Sequence, residues 1–143
     1  MTPTEITKLT RYLQGRFHDE ALTLKMLEGA PAAGVYIGAD FLGLITRDED
    51  EGEVSYDFVM RLPGEEEKLT AWEMARLQQV LSEKMGDPKL EVRAREKKLD
   101  SAEVYTDGEF IGILFLDVED EDGAVSFNMG ILDIDLDDAE GSA

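Results

Sequence analysis

Apolar positions along the chain switch between two periods, and the switch happens twice. Ile6, Leu9, Leu13 and Phe17 recur at the spacing of one helix face, as do Met74, Leu77, Leu81 and Met85. After each helix the period falls to two. Leu22, Leu24 and Met26 alternate with other residues, matched by Leu90, Val92 and Ala94. Further on, Val54, Tyr56, Phe58 and Met60 alternate, matched by Val125, Phe127, Met129 and Ile131. Between these lie two hairpins. Asp107-Gly108 is a favoured two-residue turn between Val104-Tyr105 and Phe110-Ile111, and Gly38-Ala39 offers a glycine-first turn at the equivalent place. Thr2-Pro3-Thr4-Glu5 and Thr70-Ala71-Trp72-Glu73 read as capping boxes, while Gly86 and Pro88 stop the second helix.

One strand departs from alternation. Phe110 to Leu116 is apolar at positions on both faces, and Phe41 to Ile45 repeats the pattern. An antiparallel strand with one wet face should alternate. If the helix covers one face, the other needs a cover too. The sister repeat is the simplest one, and a patch that awaits a partner is the rival.

The matched blocks make the chain one small unit written twice. The offset is 68 residues at the helices, 69 at Val35-Tyr36 and Val104-Tyr105, and 71 at Gly52 and Gly123, so insertions fall between elements. The expected fold is α+β: two tandem repeats, each a helix followed by a four-stranded antiparallel meander, packed as a pseudo-dimer. Residues 1–62 form the first, diverged repeat, 63–69 a linker, 70–137 the second repeat and 138–143 an acidic tail. Units this small bury only about 60 % of their surface alone, which favours packing one on the other.

In the second copy the runs Leu90 to Lys98, Asp100 to Tyr105, Asp107 to Gly112 and Ser126 to Leu136 resemble a family of small alphaproteobacterial proteins of unknown function. Its members are usually a single unit of about 70 residues. The resemblance covers residues 70–137, and the first copy lacks the alternating arginines. It implies fold and bacterial origin, carries no activity, and suggests that a single-unit relative homodimerises.

Charge narrows the partners. The chain has 33 acidic residues against 14 basic ones, a formal net charge of −19. Such a field repels phosphate, so direct binding to nucleic acid or to an anionic membrane is not expected. Basic proteins, cations and neutral molecules fit better. Cysteine is absent, which removes disulfides, thiolate metal sites and a cysteine nucleophile. Met1 to Glu5 lacks the basic start and apolar run of a signal peptide, and no stretch reaches the roughly 18 apolar residues of a membrane span. A cytoplasmic protein is expected.

Candidate chemistry is sparse. His18 is the only histidine, placed where the first helix should end, and Gly86 is its counterpart. No Gly-x-Ser-x-Gly elbow or phosphate-cradling glycine loop is present. No catalytic residue or cofactor is assigned, and an enzyme is not expected. Asp48, Asp50 and Glu51 in one copy, with Asp117, Glu119, Asp120 and Asp122 in the other, form acidic loops before Gly52 and Gly123. Hard cations prefer clustered oxygens, but the EF-hand spacing fails and the acids read better as solvated. No metal is assigned.

Arg93, Arg95 and Lys97 alternate along one strand with Lys98 beside them, the one basic cluster in an acidic chain. They can pair across the sheet, protect an edge, or recognise an acidic partner. The leading expectation is a non-enzymatic adaptor or regulator that binds a protein, acting as a monomer with an internal pseudo-dimer or as a homodimer. One alternative is an acidic mimic of nucleic acid that inhibits a nucleic-acid-binding protein, with Asp133, Asp135 and Asp137 as a row of carboxylates along a strand. Another is a small-ligand or cation-binding module.

Overall fold

The computed structural model describes residues 1–64, 68–95, 98–116, 125–133 and 135–136, with the side chains of Lys98 and Leu99 excepted. The elements run α1 (Pro3–Phe17), β1 (Leu22–Met26), β2 (Ala32–Ile37), β3 (Asp40–Asp50), β4 (Glu53–Leu62), α2 (Ala71–Met85), β5 (Leu90–Arg95), β6 (Lys98–Thr106), β7 (Glu109–Leu116) and β8 (Val125–Leu132). Each repeat is therefore a helix followed by four strands, joined in succession as antiparallel neighbours. By spatial proximity the chain forms two compact units, residues 1–59 with 130–143 and residues 60–129. These boundaries fall inside β4 and inside β8.

The local chemistry explains the ends of the elements. Thr2 and Glu5 form the reciprocal capping box, with Glu5 N–H donating to Thr2 Oγ1 at 3.1 Å and Thr2 N–H to Glu5 Oε1 at 2.9 Å. In α2 the Glu73 N–H donates to Thr70 Oγ1 at 3.1 Å. Both helices end on a left-handed residue, His18 at φ 53° and Gly86 at φ 59°. An aspartate then tightens each exit: Asp19 accepts the Ala21 N–H at 2.9 Å, and Asp87 accepts the Lys89 N–H at 3.0 Å. Asp87 is buried, and it also accepts from the Thr106 hydroxyl. Trp72, in the first turn of α2, stays exposed at 58 %.

One face of each meander is buried with its helix. In the first unit Leu9, Leu13 and Phe17 are buried together with Val35, Ile45 and Phe58, and the Phe17 and Phe58 rings meet edge-on at 5.7 Å. In the second, Leu77, Leu81 and Met85 from the helix are buried, as are Val104, Leu114 and Phe127 from the strands. Burying each such side chain is worth about 1.5–3 kcal/mol.

The doubly apolar strand has a different explanation from the expected second cover. Val35 pairs with Gly43 but Tyr36 pairs with Phe41, so Leu42 is an extra residue in β3. In the second unit Val104 pairs with Gly112 and Tyr105 with Phe110, making Ile111 the extra residue in β7. Each bulge shifts the phase of the strand and turns Phe41 or Phe110 to the face away from the helix. Among the described residues these side chains stay exposed: Phe41 at 62 %, Phe110 at 50 % and Phe115 at 42 %. Just past each bulge a glycine lets a phenylalanine ring come close to the backbone. A Cβ on Gly43 would come within 2.5 Å of Val59 O and 3.0 Å of the Phe58 ring, and one on Gly112 within 2.8 Å of the Phe127 ring.

Two acidic features also differ from their sequence reading. Asp48 and Asp50 are strand residues rather than loop residues, because β3 and β4 pair right up to Asp50 and Glu53. The turn is only Glu51-Gly52, both at positive φ (52° and 84°), as a tight two-residue hairpin requires. Likewise Asp133 and Asp135 do not continue a strand. β8 stops at Leu132, Asp133, Asp135 and Leu136 are helical, and Asp135 Oδ2 accepts the Leu132 N–H at 2.9 Å. That cap and the burial of Leu136 remove the expected carboxylate row; Asp137 lies outside the described residues.

Candidate functional site

The bulges build the same surface feature in each unit. On the outward face of the first unit's strands, the Tyr36 and Phe41 rings meet edge-on with centroids 5.5 Å apart, and Lys25 Nζ stands 5.0 Å from the Tyr36 ring. In the second, Tyr105 and Phe110 meet at 5.7 Å, with the Arg93 guanidinium 4.0 Å over the tyrosine. Cation, tyrosine and phenylalanine come from three successive strands at equivalent positions of the repeat. The register makes this possible, since Lys25 lies opposite Gly34 and Arg93 opposite Glu103, two residues from the tyrosine and so on its face in each case.

The surroundings of the two clusters differ. Thr23 and Gly34 flank the first, and Tyr36 leans over the bare Gly34, where a Cβ would meet its ring at 3.0 Å. Glu91 and Glu103 stand at those positions in the second. Arg93 Nε donates to Glu91 Oε2 at 2.9 Å, and the Tyr105 hydroxyl donates to Glu103 Oε1 at 3.1 Å. The bond to Glu91 raises the Arg93 pKa, and the bond to Glu103 raises that of Tyr105. The second cluster thus has its cation tied to the Glu91 carboxylate and its tyrosine to that of Glu103, while the first has its cation beside neutral neighbours.

Of the basic residues expected on one strand face, Arg93 belongs to this cluster. Arg95 sits where the β5–β6 register breaks, opposite Lys98, and its Nη1 donates to Ser101 Oγ at 3.1 Å. Lys97 and the Lys98 side chain lie outside the described residues. Asp48, Asp50 and Glu51 are exposed, and Asp117, Glu119, Asp120 and Asp122 lie outside the described residues. Among the described residues no three His, Asp or Glu side chains gather as a metal site, and no helix is long and apolar enough to cross a membrane.

A second polar constellation was missed by sequence reasoning. Glu5 Oε2 accepts from Arg47 Nε at 2.8 Å and from the Tyr56 hydroxyl at 2.5 Å, joining the first turn of α1 to β3 and β4. Arg47 Nη1 also donates to Glu49 at 3.1 Å. Partial burial pushes the Glu5 pKa up, but the bonds from Tyr56, Thr2 and Arg47 outweigh it and bring it down to about 2. Burial first, then the Glu5 carboxylate, holds the Tyr56 phenol protonated well above its usual range. The periodic patterns could not reveal a contact made across 42 and 51 residues of chain. The aromatic clusters did leave a signal: a cation, a tyrosine and a phenylalanine recur at repeat-equivalent positions.

These features define a small α+β repeat protein with a duplicated aromatic surface. The family model described as protein of unknown function (DUF3126) matches the chain twice, over residues 5–65 and 73–135, and the chain belongs to that family. No curated protein and no solved structure matches it.

Proposed function

We propose that this chain is a non-enzymatic adaptor or regulator that binds another protein in the cytoplasm, and that its two cation–tyrosine–phenylalanine clusters are the docking surfaces. One observation carries the reading: both units turn the same three kinds of side chain outward at the same bulge, although the residues around them have diverged. Tyrosine and arginine in rigid, partly desolvated settings are the residues that most often dominate protein interfaces. The bulge holds each ring pair in place before any partner arrives, which lowers the entropic cost of binding.

Other features support binding rather than catalysis. Glu5 is ionised far below neutral pH and Tyr56 stays neutral far above it, so neither exchanges a proton near pH 7. His18 is exposed and serves as the left-handed cap of α1. The net charge of −19 favours a basic or neutral protein as the partner.

The test is a comparison of baits. The intact chain, a Phe41→Ser/Phe110→Ser variant and an Arg93→Glu/Arg95→Glu variant are presented to a lysate, and captured proteins are identified by mass spectrometry. A specific partner lost from the double phenylalanine variant supports the reading. Partners kept equally by all three baits, or none captured by any, would count against it.

A further inference from the structure

Glu103 stands between two exposed phenylalanines on the outward face of the second unit. It opposes Arg93 on β5 and Ile113 on β7, while Tyr105 and Ser101 lie two residues to either side along β6. Phe110 opposes Tyr105, and Phe115 opposes Ser101. The two rings are therefore diagonal neighbours of Glu103, close enough for one long side chain to touch all three.

The carboxylate between the rings is only partly used. Glu103 Oε1 accepts from the neutral Tyr105 hydroxyl at 3.1 Å. The Arg93 guanidinium on the neighbouring strand lies over Tyr105 and is bonded to Glu91 instead. Among the described residues no cation bonds to Glu103, so its Oε2 is open to a charged donor. The first unit lacks both parts of this arrangement. Gly34 holds the place of Glu103, and Thr46 that of Phe115.

We propose that this face of the second unit binds an arginine side chain on a basic segment of the partner, its guanidinium bonded to Glu103 between the Phe110 and Phe115 rings. The inference rests on the docking reading and names the partner's chemistry at one of the two clusters. A guanidinium suits the site better than an ammonium, because it is planar, weakly hydrated and able to stack on a ring while donating in its own plane. Arg93 already does this one strand away, stacked on Tyr105 with its Nε on Glu91. The net charge of −19 draws a basic segment in. At the first cluster Lys25 stands beside the rings with no carboxylate among its neighbours there, and it repels a cation.

The test titrates a fluorescent octapeptide of alternating glycine and arginine with the full chain, beside its lysine counterpart, at about 150 mM salt. Anisotropy should show the arginine peptide bound about fivefold more tightly than the lysine one. Glu103→Gln should weaken the arginine peptide about tenfold, and Phe115→Thr about fivefold. Asp57→Asn removes the same charge from an exposed position of the first unit and should change the affinity less than about twofold. Equal affinity for the two peptides, equal losses in Glu103→Gln and Asp57→Asn, or no binding at all overturns the proposal. In the lysate comparison, a partner lost from Phe41→Ser/Phe110→Ser but kept by Glu103→Gln overturns the arginine site and leaves the docking reading standing.

Discussion

Glu5 and Glu73 occupy the same place in the first turns of α1 and α2, yet the two repeats satisfy them differently. Glu5 reaches to other elements, to Arg47 on β3 and Tyr56 on β4. Leu116 and Phe127 stand at those two places in the second repeat, and Glu73 instead takes Arg76 from its own helix at 2.6 Å. Arg76 also donates to Pro63 C=O at 2.6 Å. Glu73 is fully buried, with Arg76 Nε one satisfied partner for its carboxylate. A helix start can thus be fixed by bonds to distant strands or by bonds close in sequence. The first is sensitive to substitutions in three elements.

The largest effect should appear where the repeats are alike. Gly43→Ala and Gly112→Ala each drive a Cβ into backbone and a phenylalanine ring, and each should cost about 3 kcal/mol in urea unfolding. A much cheaper Gly43→Ala would show that the first unit is the looser one. The next effect separates the repeats. Tyr56→Phe makes the first repeat resemble the second at this position but leaves Glu5 short of one charge-assisted bond, at a cost of about 2 kcal/mol.

Acid sharpens the same contrast. Because the Glu5 pKa is lowered from 4.5 to about 2, its contribution to stability is complete above pH 4.5 and is lost as the pH falls toward 2. Unfolding curves of the intact chain and of Glu5→Gln should therefore converge over that window, and a constant gap between them would refute the linkage. The smallest effects lie at the helix ends. His18→Gly should stabilise by about 1 kcal/mol and Gly86→Ala destabilise by a similar amount, since both positions are left-handed.

Much of the fold was legible because it rests on local periodicity. The helix faces, the Asp107-Gly108 turn, the helix end at His18 with Gly86 as its counterpart and the doubled unit could all be read from residue spacing. The bulges could not, because one extra residue changes strand parity without changing composition. Phe110 to Leu116 therefore looked like a strand needing two covers, when part of it had simply turned over. The acidic run at Asp48 to Asp50 was misread for a related reason: carboxylates suit a loop, but pairing with Glu53 to Ser55 extends the strand through them and leaves only Glu51 in the turn. The Arg93 cluster was half legible. Its charge was visible in the sequence, but its tyrosine partner depends on register.

Trp72 has a practical consequence. It is the chain's only tryptophan, and at 58 % exposure its indole already meets water in the folded protein. Its fluorescence should therefore start close to the wavelength of the unfolded chain and shift little on denaturation. Any change it does report will come from the start of α2. An optical titration that follows this dye alone would overlook an event confined to α1, and the tyrosines or the far-ultraviolet signal must serve there instead.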